Sequence, residues 1–366
     1  MIKFWDYLRF YKKNKKEIEK ILDKSILSGQ LILGKEVEKF ENNFAKYMGS
    51  KYAVAVGNCT DAILIALKVL NIKKNSEIIT VANTAVPTII SIVNAGFTPV
   101  FCDIGDDYLI DEKKIEKLIT KKTKAILPVH LYGQSCNMSL INKLAKKYNL
   151  KIIEDCAQAT GAKFNKKFVG NFGDVGCFSF YPTKVLGGFG DGGILTTNNF
   201  KIYKKIKIFR FMGIDTLKKP SFAIAEGINS RMDDIQASIL NFKLKKLNHY
   251  IDRRNQIAKF YNKNLDKSKF MTPQVNAKNK HVFYEYVVSV NNRKKLLKNA
   301  KKNNINLKIT YPHMIHEMKI FAKFKRYNLK NTEKLSKKIF SLPTFPELTK
   351  NELNKIVKTL NRIAYD

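Results

Sequence analysis

The chain has 366 residues, a formal net charge of +36 and 45% hydrophobic residues. That is enough chain and apolar content to bury substantial cores, which excludes an intrinsically disordered protein. No apolar run reaches membrane-spanning length and the start Met1-Ile2-Lys3-Phe4-Trp5-Asp6 carries no apolar signal core, so the expected location is the cytoplasm, with no membrane partner.

In chain order, the pattern first predicts helices over 13–27 and 35–47, split by Ser28-Gly29. From 53 to about 197, short β-branched runs alternate with amphipathic helices; strands are expected at 53–56, 78–81, 100–102, 125–128 and 151–154. Such alternation predicts an α/β fold, with a mostly parallel sheet covered by helices on both faces. One long helix, or two in series, is expected over 231–261. Beyond about 247 the pattern becomes a smaller α+β unit with a strand over 281–290 and terminal helices. The expected division is therefore a large domain, 1–246, and a small one, 247–366.

Five cysteines (Cys59, Cys102, Cys136, Cys156 and Cys177) are scattered without a Cys-x-x-Cys pair, and five histidines lack a ligand spacing, so no metal is expected. The positive charge raises a nucleic-acid-binding or regulatory role. Against it, the lysines are spread along the chain, as over 12–24 and 294–302, with no aromatic–basic RNA-binding signature, zinc-finger spacing or basic arm.

Two segments carry chemistry. Ile152-Ile153-Glu154-Asp155-Cys156-Ala157-Gln158-Ala159 leads two β-branched residues into a carboxylate at the C-terminal end of a buried strand. Ligands of parallel α/β sheets bind outside those strand ends, so Asp155 is placed to face a cofactor; taken alone, it could equally cap a helix. The run Phe178-Ser179-Phe180-Tyr181-Pro182-Thr183-Lys184-Val185-Leu186-Gly187-Gly188-Phe189-Gly190-Asp191-Gly192-Gly193 sets Lys184 between a strand-like segment and a glycine-dense loop. A lysine held in a dry pocket there could form a Schiff base; the alternative is a surface lysine at a strand end. A reactive lysine and a carboxylate opposite a ring nitrogen are what pyridoxal phosphate (PLP) needs.

On these segments the chain resembles the DegT/DnrJ/StrS family of PLP-dependent sugar-nucleotide aminotransferases, within the aspartate-aminotransferase-like fold. The resemblance runs from about Phe4 to the C-terminus. It also includes Ser28-Gly29-Gln30 through Gly34-Lys35-Glu36-Val37, Gly57-Asn58-Cys59-Thr60-Asp61-Ala62, Gly227-Ile228-Asn229-Ser230-Arg231-Met232, and Tyr311-Pro312 with His316.

The resemblance implies that Lys184 and Asp155 are catalytic. It implies that Asn58, Cys59 and Thr60 cradle the cofactor phosphate, where the residues alone read equally as a glycine turn with Thr60 as helix cap. Ser179 would add a phosphate contact, Ala157 would lie against the ring, and Gln158 would reach the ring hydroxyl rather than merely satisfy a buried backbone group. Asn229 would cross a homodimer interface to the neighbour's phosphate; without a partner chain, Asn229 or Ser230 reads as a helix N-cap. Tyr181, Arg231, Tyr311, His313 and His316 are candidate substrate contacts. In Val81-Ala82-Asn83-Thr84-Ala85-Val86-Pro87-Thr88, Ala85 stands where many relatives place an aromatic against the ring, which leaves open what covers that face.

The reaction so implied moves an amino group from L-glutamate to a nucleotide-linked keto-sugar. The wording around Tyr181 and Ala85 resembles the subgroup that aminates C3 of a dTDP-3-keto-6-deoxyhexose; amination at C4 is the alternative. A sugar dehydratase of the same family carries histidine at the lysine position, so Lys184 argues against that activity.

Overall fold

A computed structural model describes residues 1–215 and 220–364. At its centre lies a sheet of seven strands: β1 (Tyr52–Val56), β2 (Glu77–Val81), β3 (Thr98–Cys102), β4 (Thr123–Ile126), β5 (Lys151–Asp155), and, after the two-residue strands β6 (Lys163–Phe164) and β7 (Lys167–Phe168), β8 (Val175–Ser179) and β9 (Gly193–Thr197). Their spatial order is β1-β9-β8-β5-β4-β2-β3. β9 pairs antiparallel with both neighbours, and every other pairing in the sheet is parallel. The expected mostly parallel sheet is present. Its strands are near-continuous apolar runs because helices bury both faces: all five residues of β2 and of β8 are buried.

Alternation along each strand sorts side chains between two apolar layers. Val54 and Val56 of β1 join one cluster with Ile63 and Ile65, whereas Ala53 and Ala55 join the other with Phe40, Phe44, Phe178 and Phe180. The first layer is covered by α4 (Cys59–Val69), and the second by α3 (Lys35–Met48) and α9 (Asp234–Leu244). Each such fully buried phenylalanine contributes about 1.5–3 kcal/mol.

The helix expected over 13–27 is present from Lys15 to Leu27. A further helix, α1 (Tyr7–Lys13), precedes α2 (Lys15–Leu27), and at their junction the Asn14 N–H and Nδ2 both donate to the Phe10 carbonyl, at 3.2 and 2.8 Å. The remaining helices over the sheet are α5 (Val86–Asn94), the single turn α6 (Glu112–Ile115), α7 (Met138–Tyr148) and α8 (Phe200–Arg210). The helix expected over 231–261 is two in series: α9 starts only after Asp233, and α10 (Leu247–Asn264) follows.

After β10 (Asn279–Lys280), the strand expected over 281–290 is regular only in β11 (Tyr286–Ser289), paired with β12 (Ile339–Leu342). Phe283 has a left-handed φ of 46°, which interrupts the extended run. The backbone N–H groups of Val282 and Glu285 donate instead to Gly133 and Tyr132 at 2.9 and 3.3 Å. This break ties the C-terminal segment to a loop beside β5.

α11 (Arg293–Lys302), α12 (Lys330–Ser336) and α13 (Lys350–Ile363) complete the chain. A third core packs Tyr261, Phe270, Tyr286, Phe340, Ile356 and Leu360, and draws in Ile2 from the N-terminus.

Candidate active site

The strand ends predicted to face a cofactor converge on one edge of the sheet. β5 ends in Asp155, β8 ends in Ser179 before the loop carrying Lys184, and β1 runs through Gly57-Asn58 into α4. This is the carboxyl edge, the ligand-binding edge of an open α/β sheet.

Asp155 is 4% exposed. Its Oδ2 accepts from Thr88 Oγ1 at 2.8 Å and its Oδ1 from the Ala157 N–H at 3.0 Å, and among the described residues it has no ion pair. Burial pushes its carboxyl above the usual range, while the Ala157 N–H, the Thr88 hydroxyl and the Lys184 charge pull it back. The bond from Ala157 closes a turn rather than opening a helix, so the helix-cap alternative for Asp155 falls.

Lys184 is half-buried. Its backbone N–H bonds Tyr181 O at 2.8 Å, and its Nζ lies 4.6 Å from the Tyr284 ring centroid. The dry pocket expected around it is not closed within one chain, since Tyr181 beside it is 53% exposed. The glycine loop that follows is dictated by close packing. A Cβ at Gly187 would stand 2.2 Å from Pro182 O, and one at Gly193 would stand 2.5 Å from the Asn58 carbonyl.

The helix cap in the Gly57–Ala62 motif is Asn58, not Thr60. Asn58 Oδ1 accepts from the Asp61 N–H at 2.9 Å, and Thr60 lies inside the first turn of α4. The Cys59 and Thr60 N–H groups make no hydrogen bond among the described residues, so the helix start presents two free donors suited to an anion. Ser230 fixes this start from the other side, donating to Asp61 Oδ2 at 2.6 Å and accepting from the Gly57 N–H at 3.0 Å. Asn229 beside it is exposed and Arg231 half-buried; neither Asn229 nor Ser230 caps α9, whose N-cap is Asp233.

Ser179 is buried, its Oγ accepting from the Tyr181 N–H at 3.3 Å. Ala157 is half-buried. Gln158 is committed on both sides: Oε1 accepts from the Tyr132 N–H at 2.7 Å, and Nε2 donates to Tyr311 Oη at 2.6 Å. That pairing fills the backbone-satisfying role and brings Tyr311, distant in sequence, to the site.

The two histidines separate. His313 is exposed, whereas His316 is buried with Nε2 3.1 Å from Glu333, and no described contact links it to Lys184 or Asp155. Ala85 is the half-buried N-cap of α5.

Thr88, Tyr132, Tyr284 and Ser230 hold these groups in place without having been singled out for it in the sequence. Ser230 lay in the 227–232 motif, and Thr88 in the 81–88 motif one helical turn from Thr84, whose Oγ1 is 2.9 Å away; Tyr132 and Tyr284 carried no signal. Behind the site, Glu154 accepts from His130 Nε2 at 3.0 Å and from the Gly170, Phe172 and Gly173 N–H groups, which anchors the loop after β7.

A buried carboxylate short of a cation, an amine on the adjacent strand's loop and a helix start with free donors fit a cofactor bearing a protonated ring nitrogen, an aldehyde and a phosphate. PLP has these three groups.

The chain belongs to the DegT/DnrJ/EryC1/StrS aminotransferase family, whose sequence pattern matches residues 12–361. It is similar to the dTDP-3-amino-3,4,6-trideoxy-alpha-D-glucose transaminase of Micromonospora megalomicea subsp. nigra, at 38% identity covering 98% of each chain. It is 39% identical to the dTDP-3-amino-3,6-dideoxy-alpha-D-galactopyranose transaminase of Aneurinibacillus thermoaerophilus, covering 100% of both. A GDP-perosamine synthase of Escherichia coli O157:H7 is 33% identical over 97% of this chain and 96% of its own. Among solved structures, NtdA from Bacillus subtilis with bound cofactor PMP superposes with a TM-score of 0.91 at 29% identity, covering 97% of this chain and 82% of that one. The protein is an enzyme, a PLP-dependent aminotransferase.

Proposed function

We propose that this aminotransferase transfers the amino group of L-glutamate to C3 of a dTDP-linked 3-keto-6-deoxyhexose, as a homodimer whose two sites each draw on both chains. The observation that carries the chemistry is the buried Asp155 carboxylate without a cation, beside the loop of Lys184. The substrate class is supported by near-full-length similarity to two transaminases named for dTDP-3-amino sugars. The dimer is supported by the open side of Lys184 and by exposed apolar residues elsewhere on the surface, among them Leu27 at the end of α2 at 85% and Phe222 at 57%.

When bound, PLP supplies an electron sink that lets an amino carbon give up its proton. Asp155 keeps the ring nitrogen protonated. Lys184 would hold the cofactor and would carry the proton as general acid and base. The Cys59 and Thr60 N–H groups with Asn58 and Ser179 hold the phosphate, Ala157 backs the ring and Gln158 orients Tyr311 toward it. Asn229 of each chain serves the other chain's phosphate. Tyr181, Arg231, Tyr311 and His313 shape the sugar site, and His316 supports it from its pair with Glu333.

The test is a panel of keto-sugar nucleotides with L-glutamate and mass detection of the amino product. Product from dTDP-linked 3-keto substrates is expected; absence of product from every keto-sugar nucleotide would overturn the reading.

A further inference from the structure

We infer that a cavity of about 360 Å³ beside Lys184 binds an oxyanion of one of the two substrates, acceptor phosphate or donor carboxylate, through Lys243, Tyr250 and Arg254. The inference rests on the aminotransferase reading and adds residues that the motifs did not mark.

Two buried polar atoms lining this cavity, Arg254 Nε and the Tyr250 hydroxyl, have no hydrogen-bond partner among the described residues. Arg254 is 4% exposed. Its NH1 is spent on the carbonyls of Phe283, Tyr284 and Thr344 at 3.1, 3.1 and 2.6 Å, yet its Nε has no partner. The Tyr250 hydroxyl, on a side chain 7% exposed, also lacks a partner. Lys243 Nζ donates to Gly187 O, in the loop after Lys184, and lies 4.7 Å from the Phe10 ring centroid.

No carboxylate forms an ion pair with Lys243 or Arg254 among the described residues. Of the two acids that line the cavity, Asp6 is shared by Lys3 and Arg9 at 3.4 and 3.5 Å, and Glu347 is pushed up by burial while the Arg254 and Lys243 charges pull it back without a direct ion pair. Burial also draws the Lys243 amine down to about 8. Two buried cations faced by one carboxylate that forms no ion pair with them, together with two orphaned donors, are costly unless an acceptor-rich, negatively charged group completes them. An oxyanion supplies acceptors only.

The walls suit the body of such a ligand. Trp5 stacks on Tyr7 with centroids 5.4 Å apart, and Phe189 faces the same space.

Trp5 is the chain's single tryptophan, so its emission reports on this cavity independently of turnover. The holoenzyme is titrated with thymidine diphosphate and, separately, with glutarate, an amine-free dicarboxylate that cannot react. A saturable change with thymidine diphosphate assigns the site to the acceptor, and one with glutarate to the donor. In either case Tyr250→Phe, which keeps the ring packing, and Lys243→Met are each expected to weaken binding roughly tenfold. If neither ligand moves Trp5, or if Tyr250→Phe binds as tightly as the wild type, the cavity holds only water and the inference fails. Turnover of keto-sugar nucleotides by the wild type, measured alongside, decides the aminotransferase reading separately.

Discussion

Replacing Lys184 by alanine removes the amine that the loop after β8 presents at the carboxyl edge of the sheet, and it cuts no described side-chain hydrogen bond in the core. The expected outcome is loss of transamination by about 10²–10⁴-fold or more, with an unchanged melting temperature; measurable wild-type turnover would remove Lys184 from its role. Asp155→Asn keeps the size and the bond from Thr88 but loses the charge, so cofactor binding should persist while activity falls roughly 100-fold or more. Thr88→Val takes one of two hydrogen bonds from a buried carboxylate that burial already pushes up. Its Asp155 should become still harder to ionise, which a shift of the acid limb of the pH–rate profile toward higher pH would reveal.

Lys184 and Asp155 were legible because each sits where a strand pattern stops, a signal local in sequence. Thr88 and Tyr132 were not, since they act through partners that folding alone brings near, 67 residues away in the case of Thr88 and Asp155. The phosphate-cradle motif was legible as a motif, but its cap was misassigned: Thr60 and Asn58 are both good caps, and only the position where helical φ begins separates them.

Among the elements, the parallel strands were readable within a residue or two because burial on both faces writes them as apolar runs. Breaks made by side-chain bonds were not. Phe283, at a left-handed φ and with its N–H bonded to His281 Nδ1 at 2.8 Å, interrupts an apolar run that looks like a strand throughout.

The terminal elements carry their own test. Arg9 in α1 grips Glu352 in α13 with two bonds of 2.8 and 2.6 Å, and that grip, with the Thr349 capping box, draws Glu352 down to about 2. A carboxyl held low in the folded state adds stability above its unfolded value of about 4.3, and that stability is lost as pH falls through about 2. Arg9→Ala should therefore cost about 1 kcal/mol at neutral pH in denaturant unfolding. The difference from wild type should shrink below about pH 4. A constant difference down to the acid end would show that Arg9 acts through packing instead.

On the scale of the whole molecule, a single chain leaves Lys184 half open and Asn229 exposed, and a second chain is expected to close the site and exclude water from reactive imines. Sedimentation at working concentration should give a dimer; an active monomer would contradict the shared site. The excess positive charge, spread over the surface, fits attraction of an anionic nucleotide substrate without calling for nucleic acid.

Regiochemistry tests the account most directly, because the reacting carbonyl must come within about 3–3.5 Å of the cofactor's reactive carbon, and the proposal gives the residues beside Lys184 and around Ala85 the task of limiting how far the sugar can slide. The decisive measurement is NMR of the product formed from dTDP-linked 3-keto- and 4-keto-6-deoxyhexoses offered side by side with L-glutamate. The account predicts a nitrogen-bearing C3; an amino group found only at C4 would contradict it.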